Sequence, residues 1–204
     1  MAVHEPSLQV AAASTIDWDG LIGENMYINK KKESCKDEHS FCTLVDVSLT
    51  QSQNITLGIC MEKLIHDVIA KYTCMTDISE RASKKGERQT DHIWLNKETQ
   101  EIIYAEQKNN INLDTEKCVS TETKVVELAA KYPGYKVSSY ILATRYLSIF
   151  EPLAQKIILL KYRHAKVIGI NDYLSLFGLH PFEDYDSYKR VINNIVKTKF
   201  VSDS

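Results

Sequence analysis

The segment TDHIWLNKETQEIIYAEQK, Thr90 to Lys108, decides how this chain folds. Two runs rich in β-branched and aromatic residues, 91–96 and 101–108, flank the polar stretch Lys97-Glu98-Thr99-Gln100. That is the pattern of a β-hairpin. With KETQ as the loop, Asn96 pairs with Glu101, and the same register sets Asp91 opposite Glu106. Directly opposed residues share a face, with Cβ atoms about 4.5–5.5 Å apart. Side chains alternate along a strand, so Lys108 lies on the face of Glu106. Ile93, Trp94, Leu95, Ile102, Ile103, Tyr104 and Ala105 fill the rest of both strands. Strands apolar on both faces are expected in the interior of a sheet.

Upstream of the hairpin, Leu57, Met61, Leu64, Ile65, Val68, Ile69 and Tyr72 recur at helical spacing and predict a helix over 56–73. Glu62 sits at the edge of that apolar stripe. Residues 77–90 are polar and read as a loop or a frayed helix. CTLVDVSLT at 42–50 alternates weakly and is a candidate strand. Downstream, a helix is expected from Ser120 or Thr121, as N-cap, to the stop at Pro133-Gly134. A strand at 135–147, a helix from Pro152 to about Arg163, a short strand at 166–170 and two helices within 171–178 and 183–199 complete the pattern. The predicted class is α/β, a mixed central β-sheet flanked by helices. One domain is expected over 1–204. It comprises an N-terminal extension (1–55, a candidate recognition or dimerisation element), a core (56–180) and a C-terminal helix (181–204).

Composition sets bounds on function. The 204 residues are 44% hydrophobic and 25% charged, ordinary for a globular protein. No apolar run reaches eighteen residues, and the N-terminus lacks a basic region before its short apolar stretch. The expectation is a cytoplasmic protein without a membrane span. Five scattered cysteines argue against a disulfide framework. Cys35, His39 and Cys42 lie close in sequence, yet a fourth zinc ligand at suitable spacing is missing, and a polar loop is the plainer reading. Net charge is −2, unevenly spread. Residues 1–55 hold four Lys/Arg against eight Asp/Glu, while 116–199 hold thirteen against eight. Such asymmetry suits a basic cleft or an ordinary mixed surface equally well.

The chemistry converges on Asp91, Glu106 and Lys108. Two adjacent carboxylates repel, and a divalent cation removes the conflict. Oxygen ligands favour magnesium, with manganese as substitute, over zinc. A lysine beside them can act on a water or on developing phosphorane charge. The alternative is a salt bridge of Lys108 with Asp91 and Glu106 at the sheet edge.

Asp91, followed by Glu106-Gln107-Lys108 on a hairpin and preceded by a helix carrying a glutamate, resembles the PD-(D/E)xK nuclease superfamily. The continuation AEQKNNINLDTEK with Thr123-Lys124, and the later KVIGINDYLSLFG, look like type II restriction endonucleases; the resemblance spans roughly 56–180. Thr90 stands where the family name has proline. The resemblance implies a restriction-endonuclease-like core and magnesium-dependent, sequence-specific cleavage of double-stranded DNA. It also implies a homodimer and a cognate DNA methyltransferase in the same system. By position Asp91 and Glu106 are metal ligands, Lys108 is the catalytic lysine, and Gln107 is the variable residue between them. Glu62 matches a helix glutamate that serves as a further ligand, or is a solvated helix residue. Lys84, Lys85, Arg88, Lys117 and Lys124 are candidate phosphate contacts, each also readable as a solvated surface cation. Asn109, Asn110 and Asn112 suit adenine edges or a turn; Asn110 is carried as a DNA-binding candidate. The same residues admit a structure-selective repair or junction nuclease, or a non-catalytic DNA-binding protein.

Overall fold

In the computed structural model, residues 16–24, 44–79, 90–109, 115–149 and 162–201 are described. Helix α1 (Trp18–Glu24) is followed by α2 (Gln51–Tyr72), β1 (Thr76–Asp77), β2 (His92–Asn96), β3 (Glu101–Lys108) and α3 (Thr115–Lys131). Then come β4 (Lys136–Ala143), β5 (Lys166–Ile168), α4 (Ile170–Ser175) and α5 (Tyr185–Val196), which runs on as a wider π-helical turn, Lys197–Val201. The strands form one sheet in the order β1-β2-β3-β4-β5. β1, β2 and β3 are antiparallel neighbours, while β3, β4 and β5 run parallel. The protein is therefore mixed α/β, a five-stranded mixed sheet flanked by helices, as its periodicity predicts.

The hairpin register matches expectation. Asn96 pairs with Glu101 and His92 with Ala105, so Asp91, one residue before β2, comes to Glu106. Alternation along β3 then divides the core. Trp94, Ile103 and Ala105 pack on one side of the sheet with α2, α4 and α5. Ile93, Ile102 and Tyr104 pack on the other side with Cys118, Val125 and Leu128 of α3. Burial of each such aliphatic or aromatic side chain contributes about 1.5–3 kcal/mol.

Helix α2 starts five residues earlier than its apolar stripe suggests. Thr50 and Gln53 form a reciprocal capping box, each side chain accepting from the other's backbone N–H, which extends the helix through the polar 51–55. Leu57, Cys60, Met61, Leu64, Ile65, Val68 and Ile69 are its buried face. The expected strand at 42–50 is corrected: residues 44–49 form bends and turns, with a single bridge at Thr50, and 42–43 lie outside the described residues. Leu44, Val45 and Leu49 are nevertheless buried. Their loop backbone is tied by the Asn193 side chain, whose Oδ1 accepts from Asp46 N–H (2.9 Å) and whose Nδ2 donates to Leu44 O (3.2 Å). A side chain thus satisfies the polar groups that a strand partner would otherwise take.

Ser120 and Thr121 lie inside α3 rather than at its start, and Thr121 is buried. The stop is as expected: Gly134 follows the helix with φ of 93°, a conformation suited to glycine. Asp77 heads the stretch expected to be a loop or a frayed helix, but with Thr76 it forms β1 against Trp94 and Leu95. Strand β4 ends at Ala143 and β5 at Ile168, both short of the expected limits, and Ile170 opens α4. Cys35, His39 and Cys42, and all but the end of the helix expected over 152–163, lie outside the described residues. Among the described residues, no helix is long and apolar enough to cross a membrane.

Candidate functional site

β3 and β4 are joined through α3, a parallel crossover. The C-terminal end of such a strand, beside the crossover helix, is where α/β sheets place ligands. Glu106 and Lys108 stand at that end of β3, on the α3 face. Asp91 meets them from the antiparallel neighbour, where its Oδ2 accepts from the Gln107 backbone N–H at 2.7 Å. The salt bridge that the sequence admits is present between Lys108 Nζ and Glu106 Oε1, at 2.7 Å.

Sequence reading did not foresee the crowding around Glu106. Lys124 of α3 reaches across both carboxylate oxygens, donating to Oε1 at 2.9 Å and to Oε2 at 3.0 Å. The Tyr104 hydroxyl donates to Oε2 at 2.8 Å. Tyr104 was legible in principle, because residue i−2 of a strand shares the face of residue i. Lys124 was not, because nothing in the sequence fixes the rotation of α3 against the sheet. In this structure its ammonium therefore stands inside the acid–lysine cluster.

Electrostatics follows from this packing. Glu106 is 4% exposed. Burial pushes its carboxyl up, but Lys108 and Lys124 outweigh that, and the acid sits below its ordinary range. Asp91 is half-buried, and among the described residues no ion pair to it matches those that Lys108 and Lys124 make with Glu106. Burial first, and the Glu106 charge second, push its pKa up to about 6 against the pull of Lys108, the Gln107 N–H and Lys124. The pair thus carries one comfortable and one frustrated carboxylate.

Gln107 anchors the strand. Its Nε2 donates to Gly58 O of α2 at 3.0 Å, which leaves Oε1 facing His92 Nε2 at 3.3 Å. His92 must carry its proton on Nε2 to fill that bond. Burial lowers the His92 pKa to about 4, so the ring stays neutral. The residue between the acid and the lysine is therefore fixed by α2 and β2, and its backbone in turn holds Asp91. Gln107→Leu is expected to cost about 1–3 kcal/mol, from the buried His92 N–H left without its acceptor, while the Gly58 carbonyl keeps its place in the α2 hydrogen-bond ladder. A urea melt checks it, and an unchanged midpoint contradicts this anchoring role.

Glu62 lines a cleft of about 280 Å³ that also takes in Asp91, Thr90, Lys63, His66, Asp67 and Ser79. Glu62 is carried into this cleft by α2, which packs on the sheet face opposite α3. Glu62→Ala is expected to keep the fold and to slow cleavage less than Asp91→Ala does; unchanged rates remove it from the site. Lys117 falls in the first turn of α3 by its backbone. Lys84, Lys85, Arg88, Asn110 and Asn112 lie outside the described residues.

The donor chemistry admits a hard divalent cation. Asp91 and Glu106 supply oxygen ligands of the type magnesium and manganese take; burial first, and the Glu106 charge second, disfavour the Asp91 carboxylate, and a bound cation offsets both. Among the described residues, no group of three or more His, Cys, Asp or Glu side chains is placed to hold a metal ion together. Two carboxylates with water and phosphate oxygens in the remaining positions match magnesium's habit of keeping several waters. A comparison of the chain with protein-family models, with curated proteins and with solved structures yields no match.

Proposed function

We propose that this chain is a divalent-cation-dependent endonuclease that hydrolyses phosphodiesters of double-stranded DNA at a specific sequence, in the manner of a type II restriction enzyme. The observation that carries the reading is the meeting of Asp91, Glu106 and Lys108 at the C-terminal end of β3, with the Asp91 pKa driven up by burial and by its acidic neighbour. The order helix, three-stranded meander, crossover helix and parallel strand supports it, since it is the setting in which the resemblance expects these residues.

Asp91 and Glu106 would hold magnesium, or manganese in its stead. The ion supplies Lewis acidity and a bound water more acidic than bulk water. Lys108, fixed beside Glu106 by the strand period, presents an ammonium to the attacking water and to the charge that grows on the phosphorane. Gln107 holds Asp91 in place through its backbone N–H. Cleavage of both strands of a palindrome implies a two-fold homodimer, and the restriction reading implies a companion DNA methyltransferase.

Cleavage is expected in magnesium or manganese and to vanish in EDTA. Calcium is expected to support binding with little cutting. A digest of plasmid and branched DNA under these four conditions checks this. Discrete plasmid fragments mean sequence-specific cutting, and cutting confined to branched DNA means a structure-selective nuclease. Full activity in EDTA sinks the metal-dependent reading.

A further inference from the structure

Glu106 is a single carboxylate held by two ammonium groups and a phenol. Lys108 bonds Oε1, Lys124 spans both oxygens, and Tyr104 takes Oε2. A carboxylate has about four lone-pair positions, and these bonds fill them. A divalent cation therefore cannot bind Glu106 unless a donor withdraws. Lys108 belongs to the same strand as Glu106, two residues on, so its position is set by β3 itself. Lys124 reaches in from α3 on a flexible four-carbon stem. Its helix face also lines a cleft of about 170 Å³, together with Thr90, Tyr104, Glu127, Leu128 and Lys131.

We propose that Lys124 is a displaceable counter-ion: a divalent cation and the Lys124 ammonium compete for Glu106, and the displaced ammonium takes a backbone phosphate oxygen of the nucleic acid in the cleft it shares with Lys131. This rests on the nuclease reading and assigns the site a second phosphate contact. The chemistry suits lysine, a compact point charge that moves readily between oxyanions. Lys131 lies seven residues along α3, on the face of Lys124, so one phosphate can meet both ammonium groups. The arrangement couples cation and DNA: each frees or fills what the other needs, and the coupling is reciprocal.

The test is calorimetric titration of manganese into the DNA-free protein, beside DNA binding with calcium and with EDTA. Lys124→Met is expected to bind manganese on the order of tenfold more tightly, a typical coupling factor. Lys131→Met is expected to leave manganese affinity unchanged. Each variant is expected to lower the salt slope of DNA binding by about one. The gain in DNA affinity on adding calcium is expected to shrink in Lys124→Met. Lys124→Gln, which retains a hydrogen bond to Glu106, carries the same expectation if Lys124→Met does not fold. Unchanged or weaker manganese binding in both neutral variants, in a protein that cuts DNA, overturns the inference alone. A wild-type protein that cuts no DNA and binds manganese no better than Asp91→Asn overturns the nuclease reading, and the inference with it.

Discussion

Lys108→Met is expected to cut DNA on the order of 10²–10³ more slowly than wild type in single-turnover assays, the usual loss for one electrostatic group aimed at transition-state charge. Binding to the same DNA in calcium is expected to stay near wild type. An interaction made mainly in the transition state lowers turnover and spares affinity. The melting temperature is expected to hold, because Glu106 keeps its bonds to Lys124 and to Tyr104. Breaking a buried ion pair ordinarily costs about 3–5 kcal/mol, since a charge is left without a partner; the second lysine removes that penalty. If the Lys108–Glu106 contact is only structural, the pattern inverts, with a lower melting temperature and normal cleavage by the folded fraction. Melting temperature, calcium-phase binding and single-turnover rate on this one variant separate the two.

The second large effect concerns Asp91. Its pKa in the folded protein is about 6, above the ordinary 3.8. The folded state thus holds a proton that the unfolded chain releases. The stability this confers is complete below the ordinary value and is lost as pH rises through about 6. A displacement of that size corresponds to about 3 kcal/mol at neutral pH. Asp91→Asn removes the ionisable group, and its amide oxygen can still accept the Gln107 N–H. The metal-free variant at pH 7.5 is expected to melt about 6–12 °C above wild type, at roughly 2–4 °C per kcal/mol for a chain of this size. The difference is expected to vanish near pH 4, and cleavage is expected to be abolished. A melting temperature at or below wild type across this range contradicts a carboxylate disfavoured by burial and by Glu106.

What could be read from the sequence follows from which periodicities it fixes. A four-residue loop and a period of two set the β2–β3 register, and with it the meeting of Asp91, Glu106 and Lys108. The apolar stripe of α2 was equally plain, but its start was not, because Thr50 and Gln53 cap through side chains in a polar stretch. β1 escaped notice because two residues show no alternation. Leu44, Val45 and Leu49 looked like part of a strand because 42–50 alternates weakly, yet they reach the core from a loop that Asn193 supports from far along the chain. The contacts that Lys124 and Gln107 make were hidden for a related reason. Their roles depend on how α3 and α2 pack on the sheet, and helix rotation about its axis is set by tertiary contacts rather than by local pattern. The acid–lysine trio is local to one hairpin; the groups that hold and neutralise it are not.

The central claim is that Asp91, Glu106 and Lys108 hydrolyse DNA with a divalent cation. Its most direct test is a digest of a long sequenced DNA with wild type and with Glu106→Gln, prepared identically and incubated with magnesium. Wild type is expected to give discrete fragments whose mapped ends share one sequence, and Glu106→Gln to leave the DNA intact. Identical cleavage by the two proteins, or intact DNA with both on linear and branched substrates alike, contradicts it.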